Sequence, residues 1–275
     1  MTDPAAASTT VVVPVWDAYA GALLDAALDS IREQAVPVRI VLVDNASSVA
    51  ISEQPDVEVV RLARRLVLGA ARNAGIERVQ TPFVVVWDAD DLMLPGTLAL
   101  LEREMRHAPQ LVAYGAAIVE AADGTRHRWP RRWIASLLAR PRLLALVQCV
   151  WSVFPSTGAT IMRTALVREA GGYPPATSGD DWVLGVSLAF RGPLGWTERP
   201  GRSYRRDPQS IWACHSDAAH QRTHARDVRR RIRADPGIAS WARAALPAIA
   251  VAQHAAIVLS TTRRRFAGSR RGRSA

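Results

Sequence analysis

The chain has 275 residues, 49% of them hydrophobic and 22% charged, with a formal net charge of +10. That length and apolar content supply an ample core for one large domain or two small ones, and they exclude disorder throughout. Its basic charge is wholly arginine and unevenly placed: residues 1–221 carry 22 Arg against 23 Asp and Glu, residues 222–275 carry 13 against 2, so a near-neutral body precedes a basic tail that suits an anionic membrane, nucleic acid or plain solvation.

Thr9–Val15 is β-branched, contains Pro14 and is followed by Trp16-Asp17. Ala18–Gln34 then places Leu23, Leu24, Ala27, Leu28 and Ile31 at helical spacing. Val38–Val43 reads as a second strand ending in the polar turn Asp44-Asn45-Ala46-Ser47, and Val57–Leu62 as a third. Gly69–Val79 reads as a short helix, Phe83–Trp87 as a fourth strand and Pro95–His107 as the next helix. Strands alternating with helices in this way predict a parallel, doubly wound α/β sheet.

The second half changes character. Leu111–Glu120 reads as a strand, and Trp133–Val150 is apolar and basic at helical spacing, interrupted at Pro141. Pro155–Met162 leads into a helix over Thr164–Ala170 that stops at Gly171-Gly172. Ser178-Gly179-Asp180-Asp181-Trp182 opens a helix to about Phe190, and Leu194–Glu198 and Arg202–Arg205 read as short strands. In the tail follow a helix over His215–Arg233 and an apolar stretch, Ala244–Ser260, with arginines on both sides.

Cys149 and Cys214 are two and far apart, so neither a disulfide framework nor a CxxC metal site is indicated, and a reduced, cytosolic setting fits. The start is polar and lacks the basic-then-apolar order of a signal peptide. There is no uninterrupted apolar run of the ~18 residues needed to span a bilayer. The expected location is cytoplasmic, with the tail at the inner face of the plasma membrane if it meets lipid.

Functionally, the most telling stretch is Phe83-Val84-Val85-Val86-Trp87-Asp88-Ala89-Asp90-Asp91, an apolar strand that stops at three carboxylates. Ligands of open α/β sheets gather at the carboxyl ends of strands. Asp88 and Asp90 point the same way in an extended segment, and two such oxygens suit a hard divalent cation that keeps water and phosphate as its other ligands. The alternative is an Asp-rich turn capping the helix near Pro95. Trp16-Asp17 and Asp44-Asn45 close two further strands, so three turns meet at one sheet edge. There is no glycine-rich dinucleotide fingerprint and no GxxxxGK[ST] loop. Phosphate charge then falls to a carboxylate-held cation and to arginines such as Arg72, Arg205 or Arg206.

Five segments occur in the order and spacing of the family 2 glycosyltransferases, which the chain resembles over residues 9 to about 212: Val11–Trp16, Val41–Ser47, Gly69–Gly75, Trp87–Asp91, and Gly158 through Gly171-Gly172-Tyr173 to Asp180-Asp181-Trp182. The resemblance implies a GT-A fold: a doubly wound mixed sheet in one domain over residues 9–214, with a nucleotide-sugar-binding half (9–120), an acceptor half (121–214) and a basic helical tail (215–275). It implies an inverting, metal-dependent transfer from a nucleotide-sugar, UDP- or TDP-linked, to a saccharide or lipid-linked acceptor of the cell envelope. Pro14 and Trp16 would line the base pocket and Asp44 would accept from the base ring N–H. Asp88 would touch the ribose or a metal-bound water, Asp90 would bind Mn²⁺ or Mg²⁺, and Arg72 would contact the diphosphate or pair with Asp44 or Asp88. Asp181 falls on the general base, with Asp180 and Trp182 facing the acceptor, unless the two acids only cap a helix and Trp182 is core.

Asp17 stands where the family has asparagine, and Asp207 where it commonly has histidine. His220 and His224 are four apart but sit among arginines, which favours a solvated helix face over a metal site. A nucleotidylyltransferase shares this sheet type but needs a basic glycine-rich loop that Val13-Pro14-Val15-Trp16 does not supply. A nucleic-acid-binding role for the arginine tail leaves the acidic turns unexplained, and no nucleic acid partner is expected.

Overall fold

A computed structural model describes residues 6–52, 54, 56–120, 132–176, 178–205 and 217–271. The first half alternates as predicted: β1 (Thr9–Val15), α1 (Ala22–Arg32), β2 (Val38–Asp44), β3 (Val57–Arg61), α2 (Leu68–Arg78), β4 (Phe83–Val86), a short β5 (Leu92–Met93) and α3 (Thr97–His107). The helix predicted from Ala18 splits, because Gly21 at φ 81° separates a 3-10 turn at Asp17–Tyr19 from α1. In the second half come β6 (Ala113–Glu120), α4 (Arg132–Leu138), α5 (Pro141–Val150), β7 (Thr160–Arg163), α6 (Thr164–Glu169), α7 (Asp180–Ala189) and β8 (Leu194–Tyr204). Pro141 begins α5, where its missing N–H costs nothing.

The eight strands among the described residues form one sheet in the order β3-β2-β1-β4-β7-β6-β8-β5. Strands β3, β2, β1 and β4 are parallel; β7 runs antiparallel to β4 and β6, β6 is parallel to β8, and β5 is antiparallel to β8. The sheet is therefore mixed. Strands β7 and β5 are too short for a periodic signal, and β8 is one strand where the sequence suggests two. Pro200-Gly201 breaks its alternation, but register shifts around Ala117 absorb the break.

Alternate residues face opposite sides. Val12, Val43, Val84 and Val86 pack with α2, α5 and α7, whereas Val11, Val13, Leu42 and Val85 pack with α1 and α3. Gly75 on α2 lets that helix lie against Val12 and Val43, where an added Cβ would come within 2.3 Å.

The tail folds back onto this body. Helices α8 (Ala218–Ala234), α9 (Ser240–Ala244) and α10 (Leu246–Arg271) bury Ala225, Val228, Ile232, Ala242, Leu246, Ile249 and Ile257 against Cys149, Trp182, Val183 and Val186. Arg191 and Asp235 clamp the two parts with a buried ion pair of 2.8 Å. Among the described residues no helix is long and apolar enough to cross a membrane.

Candidate active site

Three parallel strands deliver their polar ends to one edge. Pro14 is buried in β1 opposite Val43, and Trp16 follows β1 half-buried. The Trp16 ring meets Tyr19 edge-on at 4.8 Å, and the Arg65 guanidinium stands 5.1 Å from its centroid. Asn45 holds the segment carrying Arg65 by bonds to and from the Leu66 backbone, at 2.9 and 2.8 Å. Asp44 is fully buried, accepting from Ser47 N at 2.9 Å and Arg61 Nη1 at 2.5 Å. Burial works to raise its pKa, but the hydrogen bonds from Ser47 and Ile51 and the Arg61 charge hold it below the ordinary value. Asp44 thus already has a cation partner, and Arg72 is not that partner. Asp17 accepts from both the backbone N and the Oγ of Ser48, at 2.7 Å, and joins the first two turns.

Beyond β4 the chain does not stay extended. Asp91 N donates to Asp88 O at 3.3 Å, so the acids lie on a turn. Asp88 is fully engaged: Oδ1 accepts from Arg72 Nη2 at 3.0 Å and Oδ2 from Arg202 Nη2 at 2.6 Å. Arg202 also holds Asp91, whose Oδ1 accepts from Arg205 N at 2.8 Å. Asp88 and Asp91 therefore share the Arg202 guanidinium. Asp90 stands apart, 4.0 Å from Arg205 Nε at the rim. Burial, then the Asp88 and Asp91 charges, push its pKa up to about 7. Burial pushes Asp91 up to about 6 against the pull of Arg202.

On the facing side, Arg72 crosses from α2 to the start of α7, where its Nη1 meets Asp180 Oδ2 at 2.7 Å. Its guanidinium lies 5.3 Å from the Tyr173 ring centroid, and burial would lower its pKa were Asp180 and Asp88 not holding it raised. Gly69 permits the approach, since a Cβ there would lie 2.0 Å from Pro174 O. Asp180 is 2% exposed and belongs to this ion network. Asp181 is half-buried; its Oδ1 accepts from Trp182 N at 2.8 Å and its carbonyl from Ser156 Oγ at 2.9 Å. Burial, opposed by Arg72, raises the Asp181 pKa, which suits a base. Trp182 is 7% exposed, lies in the core shared with α8 and donates its indole N–H to Gln148 O, the arrangement of its core alternative.

Among the described residues Asp88, Asp90, Asp91, Asp180 and Asp181 outnumber the buried cations Arg72 and Arg202, and this excess adds to burial in raising the Asp90 pKa. A cation at Asp90 would relieve it. Among the described residues no three His, Cys, Asp or Glu side chains form a metal cage. An ion here would be held by Asp90 with water and phosphate oxygens, the habit of Mg²⁺.

The profile described as "Glycosyl transferase family 2" matches residues 10–169. The chain belongs to that family. The curated relative "Amylovoran biosynthesis glycosyltransferase AmsE" of Erwinia amylovora is 36% identical over 73 residues, which span 26% of this chain and only 27% of AmsE. The structure of S. aureus TarS 1–349 in complex with UDP-GlcNAc superposes with a TM-score of 0.62 at 15% identity, covering 84% of this chain and 68% of that one. TarS 1–349 alone gives 0.63 at 15%, covering 90% and 72%. The fold is thus of the GT-A type.

Within this family 2 chain, residues that motif reasoning passes over complete the site. Arg202 is visible in the sequence only as part of a strand, yet it bridges Asp88 and Asp91 between the Trp87 and Tyr204 rings, 5.9 and 5.2 Å away. Gly158, at φ 70°, makes room for it. Arg61 and Arg65 carry no motif signal either. Arg206, Asp207 and His215 lie outside the described residues.

Proposed function

We propose that this chain transfers a sugar from a nucleoside diphosphate sugar, with inversion, to a hydroxyl of a saccharide or lipid-linked acceptor. The observation that carries the proposal is the convergence of the Asp88–Asp91 turn, Arg72, Arg202 and the Asp180-Asp181 helix start in one charged cluster, from elements far apart in sequence. A lone helix cap would need none of these partners.

On this reading the base lies against Trp16 and Pro14 at the end of β1, with Arg65 closing over the ring as a second cation near the phosphates. Asp44 meets the base ring N–H beside Arg61, and a uracil or thymine offers such a donor; the TarS complexes with UDP-GlcNAc and UDP support a uridine donor. Asp88, fixed by two guanidiniums, presents its outer surface to the ribose. A Mn²⁺ or Mg²⁺ held by Asp90 would supply Lewis-acid neutralisation of the departing diphosphate. Asp181 takes the proton of the acceptor hydroxyl as that oxygen attacks the anomeric carbon from the face opposite the leaving group. Burial raises its pKa, which makes its carboxylate a stronger base toward that proton. Asp180 and Arg72 fix the turn that aims it. The sugar itself is selected by a few contacts that fold alone does not name.

A thermal-shift panel of UDP, GDP, TDP and CMP, each with and without Mn²⁺, tests the reading. One diphosphate should stabilise the protein in a metal-dependent way that Asp90→Ala removes. Equal, small responses to every nucleotide, with and without the metal, would refute it.

A further inference from the structure

We infer that the groove between α8 and α10 binds the phosphate headgroups of an anionic lipid surface, on which the exposed apolar stripe of α10 rests. The inference is independent of sugar transfer, because the groove lies on the face of α8 opposite His224 and the catalytic turn.

Arg222, Arg226 and Arg229 line one wall at positions i, i+4 and i+7 of α8, Gln253 and His254 the other, and Ile257 the floor of a cavity of about 180 Å³. Three cations on one helical face repel one another, and among the described residues no carboxylate pairs with them. The acids of α8 and its flanks are engaged elsewhere: Asp227 with Arg230 at 3.0 Å, Asp235 with Arg191, and Asp217 on the helix's own first turn. Arg229 is half-buried, and burial and the Arg233 and Arg226 charges work against its protonation. It is held by Gln253, a side chain 1% exposed that is itself fixed by a bond to Cys149 O at 2.8 Å. A built, positively charged groove with no counter-ion among the described residues calls for an anion.

The neighbouring surface selects the source of that anion. Val251, Val258 and Leu259 are 71%, 47% and 62% exposed, and with exposed Ala255 they form a stripe along α10 beside His254. The α10 sequence continues as Arg263-Arg264-Arg265. An apolar stripe flanked by arginine suits a helix lying in a membrane interface, and it would be wasted on a phosphodiester backbone or a free ion.

Flotation of the full chain with vesicles decides the matter. The protein should float with phosphatidylcholine vesicles containing phosphatidylglycerol and stay behind with phosphatidylcholine alone. Replacing Arg222, Arg226 and Arg229 together by Gln should weaken binding on the order of 100-fold, about fivefold per charge. The corresponding Lys triple should retain most of it, and Val258→Ser/Leu259→Ser should weaken it without altering the melting temperature. Floating of the Gln triple like the parent would overturn the inference. So would equal binding to neutral vesicles, saturable binding of inorganic phosphate without flotation, or displacement from vesicles by a short RNA. A Gln triple that melts like the parent yet no longer floats is the supporting result.

Discussion

Replacing Asp90 by asparagine isolates the cost of keeping a weakly partnered acid in the cleft. A carboxyl raised from 3.8 to about 7 holds its proton in the folded chain after the unfolded chain has released it. Its contribution to stability is therefore complete at low pH and is lost as pH rises through a window of about 4 to 7. The whole loss is about 4 kcal/mol, of which about 2–3 falls between pH 5 and pH 8. The amide of Asp90→Asn mimics the protonated acid at every pH and escapes the loss. Urea unfolding in the presence of a chelator should show Asp90→Asn more stable than the parent at pH 8, by an advantage that shrinks at pH 5. Adding Mn²⁺ at pH 8 should close the gap by stabilising the parent alone, because only the parent offers the ligand. A variant less stable than the parent in metal-free buffer at pH 8, or an advantage unchanged between pH 5 and pH 8, would refute the reasoning.

Arg72→Met leaves Asp88 and Asp180 buried without their shared cation and should cost about 3–5 kcal/mol at pH 7, with part recovered in Arg72→Met/Asp180→Asn; chemical denaturation of the parent, both single variants and the double variant gives the coupling. Asp181→Asn should bind the donor nucleotide as the parent does and lose about 10²–10⁴-fold in turnover, read from diphosphate release in the presence of acceptor. Gly69→Ala drives a methyl into the Pro174 carbonyl and should lower the melting temperature by several degrees, about 2–4 °C per kcal/mol, whereas Gly21→Ala, with nothing within 4 Å, should show only the modest strain of its positive φ.

The alternating half of the fold is legible because β1, β4 and most of β2 are buried on both faces and end in polar turns. Strands β5 and β7 escape notice because they are short and, unlike the four-residue β4, are not part of a wholly apolar run bounded by polar turns, and β8 because a bulge hides its continuity. In the site, the identity of the acids is readable but their pairing is not. Asp88 and Asp90 look equivalent in a string of letters; the arrival of Arg202 from 114 residues away, beside Arg72, gives Asp88 two guanidinium partners, whereas Asp90 lies 4.0 Å from Arg205. Trp182 follows the acids as an acceptor platform would, but its direction is set by α8, which no local pattern ties to α7.

Gly179 couples the start of α7 to the basic tail. It caps α7 in a left-handed conformation, φ 72°, directly under the His224 ring, where a Cβ would come within 2.5 Å, and neighbouring Ser178 bonds His224 Nε2 at 2.8 Å. The segment that charge alone would set aside as an appendage therefore serves as the ceiling of the turn that aims Asp181. Cutting the chain where its composition shifts would not yield a minimal enzyme; it would unroof Trp182, Val183 and Val186 and leave the proposed base on an unsupported hinge.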